Sequence, residues 1–314
     1  MPAKMVFSRH FGMLVAIAAL GVAAPARPVP RAVSSTTLSE LTLFSQYAAA
    51  SYCTNNVNSA GDAVSCSGGY CPQVQSAGAK TLYEFDDSTD FGDVAGFFAV
   101  DSTNKLLVLS FRGSRTISNW IANLDFGQTD ASSLCSGCEA HSGFLKAWEA
   151  VADALTAQIA SATATYPSYT LVLTGHSFGG AVAALGGTAL RNAGYTLDLV
   201  PRSEIVQLDA DMNWQYTYGQ PRVGNTALAQ YMTNQGALWR VTHSDDIVPK
   251  LPPASWGFTH ASPEYWITSG DDVTVTTSDV TEVTGVGSSG GNAGTSGDSV
   301  SAHNWYIVDI DGCQ

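Results

Sequence analysis

The sequence predicts an α/β fold with a mostly parallel, mixed central sheet that is covered by helices on both faces. Strand and helix candidates alternate through the middle of the chain, an order that favours a parallel sheet with crossover helices. A buried-strand pattern, a glycine-rich turn and a small-residue helix follow one another at 170–187. Residues 32–314 are within the size range of one α/β domain, and we predict a single domain there.

The individual elements are predicted from apolar periodicity and from the residues that interrupt it. Helices are predicted at 38–53, 144–163, 179–193 and 224–235. Strands are predicted at 96–100, 105–111, 170–174, 216–219, 237–242, 264–268 and 305–310. Residues 54–80 are predicted to be loop-rich. The Gly- and Ser-rich stretch 285–299 is predicted to be a solvated loop because it cannot bury apolar surface.

The N-terminal residues have the pattern of a secretory signal. Lys4 and Arg9 form a basic region, and Phe11 to Ala24 form an apolar region too short to span a membrane. We predict a signal peptide over 1–24 and a short pro-segment over 25–31. No later apolar run reaches the ~20 residues that a transmembrane helix needs. We therefore expect a secreted, extracellular protein without a transmembrane anchor, and a monomer.

The charge balance is strongly acidic. Residues 1–31 hold four of the fourteen basic residues and none of the 27 acidic ones, so the remainder carries a net charge of −17. This charge argues against nucleic acid or anionic lipid as a charge-driven partner. Solubility in an extracellular medium is the simpler explanation of the acidity.

Six cysteines in a secreted chain indicate a disulfide framework. Spacing favours two local loops, Cys66–Cys71 and Cys135–Cys138, and leaves Cys53 to pair with Cys313. The CSGC stretch that contains Cys135 and Cys138 could instead be a redox pair, but no thioredoxin-like context surrounds it.

The stretch TLVLTGHSFGGAVAALGG contains a G-x-S-x-G pattern in a strand, turn and helix context. In such a turn, glycines permit strain and close packing, and the serine hydroxyl is raised to a helix N-terminus that favours negative charge. A structural glycine-rich turn is the alternative. The context favours Ser177 as a nucleophile.

A nucleophilic serine needs a base, and this topology places the histidine last in chain order. Three histidines follow Ser177. His303 comes after the flexible loop and before a predicted terminal strand, so it can be delivered over the sheet edge. His243 is close to the acid candidates, and His260 is in a proline-rich loop. Position favours His303 over the other two.

The acid and the oxyanion donors are predicted from strand ends. Asp245 and Asp246 both follow the strand at 237–242, where catalytic side chains collect in such sheets; the pattern does not choose between them. The backbone N–H of Phe178 is one predicted donor to the oxyanion. The Gly113-Ser114 turn after the strand at 105–111 supplies the other, and the Ser114 hydroxyl could add a third donor. Ser114 could also simply cap the next helix.

A short amphipathic helix follows that turn. Ile117, Trp120, Ile121 and Leu124 have offsets of 0, 3, 4 and 7 and form one apolar face. A helix so short is marginal alone in water, so its apolar face must rest on something.

Together these motifs resemble the class 3 triacylglycerol lipases that filamentous fungi secrete. The resemblance extends from about Leu38 to Cys313. It rests on FSQYAAASYC, NKLLVLSFRGSRTISNWIANLDF, CSGC, GHSFGGA, YGQPRVGN, HSDDIVPKLPP, SPEYWI and AHNWY. It implies the α/β-hydrolase fold and the same three disulfides.

The resemblance also implies roles for single residues. The acid is Asp246, the aspartate before Ile-Val-Pro, and the base is His303. The oxyanion hydroxyl residue is Ser114. The helix at about 115–124 corresponds to the lid of the family, which would cover the Ser177 pocket in water and face lipid at an oil surface. A permanently docked helix is the alternative.

We therefore expect a lipase without metal or cofactor that hydrolyses ester bonds of acylglycerols at lipid–water interfaces through an acyl-enzyme. A phospholipase or galactolipase is the nearest alternative. A feruloyl-type esterase would be expected to have a polar lid, and a catalytically inactive binding protein would lack one of the three catalytic residues. Phe178, Val248 and Leu251 are expected to line the acyl pocket because they lie beside the nucleophile and the acid.

The chain departs from the family at Val200–Gln215, an atypical insertion of 16 residues. Without it, TLDLYTYG is one continuous strand. Our hypothesis is a translated intron, since every Val codon begins with GT and one Gln codon is CAG, as splice boundaries require. We predict that the mature transcript lacks these 48 bases. Sequencing of the cDNA checks this, and a transcript that retains them would contradict the hypothesis.

Overall fold

The computed structural model describes residues 31–89, 92–123, 127–195 and 214–314, together with Met1. The predicted signal peptide beyond Met1, the pro-segment before residue 31, Leu124 and most of the predicted insertion lie outside the described residues. In the part of the chain that is described, no helix is long and apolar enough to cross a membrane.

The strands and helices are numbered in chain order. The strands are β1 (Arg31–Ala32), β2 (Lys80–Thr89), β3 (Gly92–Asp101), β4 (Leu106–Phe111), β5 (Gln128–Asp130), β6 (Glu139–His141), β7 (Thr170–His176), β8 (Trp214–Tyr218), β9 (Leu238–His243), β10 (Glu264–Ile267), β11 (Val280–Val283), β12 (Trp305–Tyr306) and β13 (Val308–Asp309). The α-helices are α1 (Ser35–Ala50), α2 (Pro72–Ala77), α3 (Ile117–Asn123), α4 (Ser142–Thr165), α5 (Phe178–Asn192), α6 (Thr226–Gln235) and α7 (Ser301–Asn304). Short 3₁₀ turns occur at Thr54–Asn56, Val248–Lys250, Ala254–Trp256 and Asn292–Gly294.

Among the described residues, nine strands form the central sheet, in the order β1-β11-β10-β9-β8-β7-β4-β3-β2. The five middle strands, from β10 to β4, are parallel, and the strands outside them are antiparallel. Every residue of β4 and β7 is buried, as expected for parallel strands that are covered on both faces. The mostly parallel, mixed sheet predicted from the sequence is confirmed.

Helices cover both faces of this sheet, and two apolar clusters mark the two layers. Alternate residues of a strand point to opposite faces. In β4, Leu107 and Leu109 belong to the cluster that holds the apolar faces of α4, α5 and α6, whereas Leu106 and Val108 belong to the cluster that holds α1. The helix layers therefore lie on opposite sides of the same strands.

Helix α1 begins and ends three residues before its predicted bounds, and two of the predicted strands also differ from the prediction. Strand β8 begins at Trp214, two residues inside the predicted insertion, because Trp214 is buried beside Trp239 and pairs with Val172 of β7. The strand predicted at 305–310 is wrong. The chain turns at Ile307, whose φ is 69°, so β12 and β13 form a separate two-stranded hairpin instead of a strand of the central sheet.

The prediction of a solvated loop at 285–299 is also wrong in part. Asn292 is 1% exposed and lies in a 3₁₀ turn. A polar side chain can be buried when its hydrogen-bonding groups find partners. The Asn292 Nδ2 finds them on the turn that follows β9, whereas its Oδ1 has no partner among the described residues.

The three disulfides have the pairing that the sequence predicts. Cys53 and Cys313 join the end of α1 to the last residues of the chain, while Cys66–Cys71 and Cys135–Cys138 close short loops. The sulfur atoms of Cys53, Cys66 and Cys313 lie within 4.8 Å of one another, so two of the disulfides pack together.

Asp309 and Asp311 precede Cys313 in the chain, and they make the stability of the fold depend on pH. Burial, and then the charge of Asp309, raises the pKa of Asp311 from 3.8 to about 6. Between these values Asp311 binds a proton in the folded chain but not in the unfolded chain, so its contribution to stability falls as the pH rises from about 4 to about 6.

We predict that Asp311→Asn raises the Tm at pH 7 and changes it little at pH 4, because Asp311 is already neutral in the folded chain at the lower pH. Thermal unfolding of both proteins between pH 4 and pH 8 checks this. A difference in Tm that is the same at every pH would contradict it.

Candidate active site

Ser177 lies in the sharp turn between β7 and α5. Its φ of 58° and ψ of −126° are sparsely populated for a residue with a side chain. The Ser177 N–H donates to the carbonyl oxygen of Tyr218 at 2.8 Å, which holds the turn against the end of β8. This is the strained strand-to-helix turn that the G-x-S-x-G pattern predicts.

Two backbone segments meet beside Ser177. Phe178 supplies the first N–H of α5, where amides have no acceptor within the helix. Gly113, after β4, approaches so closely that a Cβ there would lie 3.1 Å from Ser177 Cβ and 1.9 Å from the Tyr52 hydroxyl. Only glycine fits this contact. It places half-buried Ser114, the next residue, at the same turn.

The carboxylate of Asp246 is fully buried and has three donors. His303 Nδ1 lies 2.8 Å from Asp246 Oδ2, and the Tyr306 hydroxyl donates to the same oxygen. The Val248 N–H donates to Oδ1 at 2.8 Å. Burial and the nearby Asp246 charge raise the pKa of Tyr306 well above its ordinary value, so its hydroxyl stays a donor.

The structure brings His303 to the nucleophile turn. Gly219 follows the Tyr218 that binds Ser177, and a Cβ at Gly219 would lie 2.7 Å from His303 Cε1. The ring centroids of His303 and His176 are 4.4 Å apart. Ser177 Oγ and His303 Nε2 are both buried, and within the described ranges neither has a hydrogen-bond partner. These are the two atoms between which a base would take the serine proton.

The alternative acid and base candidates are engaged elsewhere. His260 Nε2 lies 2.7 Å from the carbonyl oxygen of Pro249, and burial lowers the pKa of His260 well below its ordinary value. The His243 ring lies 2.9 Å from the carbonyl oxygens of Ala302 and Ser269. Asp245 Oδ1 accepts from Ser244 Oγ at 3.3 Å.

The sequence did not predict the roles of His176 and Tyr52, whose side chains support His303 and the nucleophile turn. His176 Nε2 lies 2.9 Å from the His303 carbonyl oxygen, and its Nδ1 lies 2.7 Å from the Tyr52 hydroxyl. Burial lowers the pKa of His176 well below its ordinary value and keeps the ring neutral. Tyr306 was missed as well. The only sequence signal was its place three residues after His303.

The predicted pocket and lid residues lie in two segments. Val248 is buried and Leu251 half-buried, in the 3₁₀ turn after Asp246 and at its end. In α3, Ile117 and Ile121 are half-buried; the side chain of Trp120 and the whole of Leu124 lie outside what the structure describes. The roles of these residues remain predictions.

Comparisons with known proteins place the chain in a family. Residues 108–256 match the family profile described as Lipase (class 3), and residues 12–83 match the Lipase 3 N-terminal region. The chain is 44% identical over 305 residues to secreted mono- and diacylglycerol lipase A of Penicillium cyclopium, across 96% of this chain and 94% of that protein. It is 38% identical over 324 residues to secreted mono- and diacylglycerol lipase 1 of Fusarium solani, across 96% and 89%.

Solved structures agree in fold. A crystal structure of a mutant MDLA from Penicillium cyclopium matches with a TM-score of 0.81 at 44% identity, over 90% of this chain and all of that one. The mono- and diacylglycerol lipase of Aspergillus oryzae matches with a TM-score of 0.80 at 41% identity, over 90% and 100%.

The sheet topology and the structural neighbours define the protein as an α/β-hydrolase. Within that class, the chain belongs to the class 3 lipase family and is a serine carboxylic-ester hydrolase.

Gly219 provides a test of the geometry around His303. Its φ is +56°, and a Cβ there would lie 2.7 Å from His303 Cε1. We predict that Gly219→Ala lowers kcat for a dissolved ester at least tenfold, because the ring must move. Gly78→Ala is the matched control, since Gly78 has a φ of +67° and nothing within 4 Å. Both variants should lose about 1–2 kcal/mol of stability; an equal loss of kcat in both would contradict the prediction.

Proposed function

We propose that this protein is a secreted lipase that hydrolyses acylglycerols at lipid–water interfaces, with Ser177 as nucleophile, His303 as base and Asp246 as acid. The observation that carries the proposal is a pair of buried atoms, Ser177 Oγ and His303 Nε2, neither of which has a hydrogen-bond partner in the described part of the chain, together with the 2.8 Å contact between His303 and Asp246. The printed names of relatives at 44% and 38% identity support secretion and acylglycerol substrates.

In the proposed reaction, Ser177 Oγ attacks the ester carbonyl carbon while His303 Nε2 accepts the hydroxyl proton. The negative charge of Asp246 stabilises the imidazolium that forms. The tetrahedral intermediate collapses when His303 returns the proton to the leaving glycerol oxygen. Water then attacks the acyl-enzyme by the same route, so that a fatty acid leaves and Ser177 regains its proton.

The developing oxyanion is proposed to accept from the Phe178 N–H and from Ser114. The Phe178 amide lies at the N-terminus of α5, where the helix dipole favours negative charge. A donor aimed at the oxyanion contributes most in the transition state, since the ester carbonyl oxygen carries less charge before attack.

The segment at about 115–124 is proposed to be a lid that carries Ile117, Trp120, Ile121 and Leu124. An apolar side chain of this kind gains about 1.5–3 kcal/mol when it leaves water. That gain is available over the active site or in lipid, so only the difference between the two states drives opening. A lipid surface supplies this difference.

The decisive experiment is the hydrolysis rate of an ester measured through its solubility limit, with Ser177→Ala as the blank. A sharp rise when droplets appear is expected. A smooth saturating curve would contradict the lid, and activity equal to the blank would contradict the enzyme assignment for this chain.

A second experiment tests the substrate class. It compares emulsions of mono-, di- and triacylglycerol, a phospholipid and a feruloyl ester at equal interfacial area. A faster reaction with the phospholipid or the feruloyl ester would overturn the proposed substrate class.

We predict that Trp120→Ala lowers activity on emulsions far more than on a dissolved ester, because only the emulsion supplies the surface that the lid would meet. Ser118→Ala is the matched control, since Ser118 is exposed on the same helix and outside the apolar stripe. Equal losses on both substrates would mean that Trp120 is merely structural.

A further inference from the structure

The Gly- and Ser-rich segment 291–299 runs along the turn that carries Asp246. Asp246 and Ser299 pair as neighbouring parallel residues. The Ile247 N–H donates to the Ser299 carbonyl oxygen at 3.1 Å, and the Ser299 N–H donates to the Asp245 carbonyl oxygen at 3.1 Å. The far end of the segment is therefore bound to the residues on both sides of Asp246.

Asn292 binds the same turn from the near end of the segment. Its Nδ2 donates to the Asp246 carbonyl oxygen at 2.9 Å and to the Ser244 carbonyl oxygen at 3.3 Å. Since both neighbours are acceptors, the amide must turn its NH₂ group toward them. The side chain is 1% exposed, so water does not compete for these bonds.

Asn292 itself is held in place by a buried ion pair. The Asn292 backbone N–H donates to Glu264 Oε1 at 2.9 Å. Glu264 is 2% exposed on β10, and its other oxygen accepts from Arg240 Nη2 at 3.2 Å. Because β9 and β10 carry these two charges, the position of Asn292 is set by the sheet rather than by its own loop.

The turn that Asn292 binds is strained. Ser244 has a φ of 42°, a left-handed conformation that residues with a side chain seldom adopt. The Asp246 N–H donates to the His243 carbonyl oxygen at 3.0 Å, and the Asp246 carbonyl oxygen accepts from Asn292. These two bonds hold the Asp246 backbone from both sides and so direct its carboxylate toward His303.

We propose that Asn292 is a positioning residue for Asp246. It links the Arg240–Glu264 ion pair to the Asp246 turn by hydrogen bonds and so keeps the Asp246 carboxylate aligned with His303. The proposal rests on the proposed catalytic role of Asp246. Asn292 acts through Asp246 and does not touch the acyl pocket residues or Ser177 in any contact described above.

The test compares Asn292→Ala in two backgrounds, the natural chain and Asp246→Asn, on a dissolved ester. In the natural background we expect kcat to fall about 10- to 100-fold, as for the loss of a buried hydrogen bond, with KM unchanged. In the Asp246→Asn background we expect no further fall, because the carboxylate that Asn292 aligns is gone. The downfield proton resonance of His303 Nδ1–H should shift or broaden in Asn292→Ala.

Thr295→Val is the matched control. Thr295 Oγ1 donates to the Asn292 carbonyl oxygen at 2.8 Å. The variant therefore removes a hydrogen bond of the 3₁₀ turn that contains Asn292 and leaves the bonds between Asn292 and the Asp246 turn in place. We expect its kcat to stay within twofold of the natural chain. If Asn292→Ala does not fold, Asn292→Asp keeps the shape and replaces the donor by an acceptor, and the same losses are expected.

An unchanged kcat in a folded Asn292 variant would overturn the proposal. An equal fall in both backgrounds would overturn it as well, since it would show a general structural effect. Failure of the proposed function is separable, because it would appear as an Asp246→Asn variant with the activity of the natural chain.

Discussion

Asp246 is a carboxylate with no exposure to water, and the arrangement around it follows from that fact. A buried charge is costly unless it is paired and hydrogen-bonded. Here the imidazole of His303, the hydroxyl of Tyr306 and the backbone N–H of Val248 all point at its two oxygens. These contacts come from the residue two after Asp246 and from the C-terminal residues His303 and Tyr306, so the packing of both segments and the alignment of the histidine depend on the same group.

The sheet supplies the geometry that makes this possible. β7, β8 and β9 are parallel neighbours, so the residues that follow them meet at one edge. Ser177 follows β7, Gly219 follows β8 and Asp246 follows β9. His303 is the exception, since it reaches this edge from α7 and the β12–β13 hairpin. Its ring lies between the Asp246 carboxylate and the His176 ring, close to Gly219, and is not carried by a strand of the sheet.

The sequence was sufficient for the parts of the structure that local pattern determines. The buried runs of β4 and β7 and the turn at Ser177 are specified by residues within a short window. The edge strand β2 and the strand next to the other edge, β11, were missed because they are half polar, and a partly exposed strand has a weaker apolar signal. The choice of Asp246 over Asp245 required the resemblance to a family, because both residues stand at the same strand end.

The least predictable part was the segment around Asn292. Its composition indicates a solvated loop, and composition is blind to partners that lie far away in the chain. Asn292 is buried because Glu264 and the turn after β9 offer it complementary groups. Likewise, residues 305–309 form a hairpin instead of the predicted strand because Ile307 has a left-handed backbone conformation, which is rare for isoleucine and so could not be predicted from the sequence.

The chain order of the site has a consequence for its biosynthesis. His303 follows Asp246 by 57 residues, and the disulfide that secures the hairpin behind it joins positions 260 residues apart. When synthesis has reached Asp246, the chain contains the proposed nucleophile Ser177 and the proposed acid, but the proposed base His303 has not yet been made. The proposed hydrolytic centre of this secreted protein is thus incomplete until nearly the whole chain has been made.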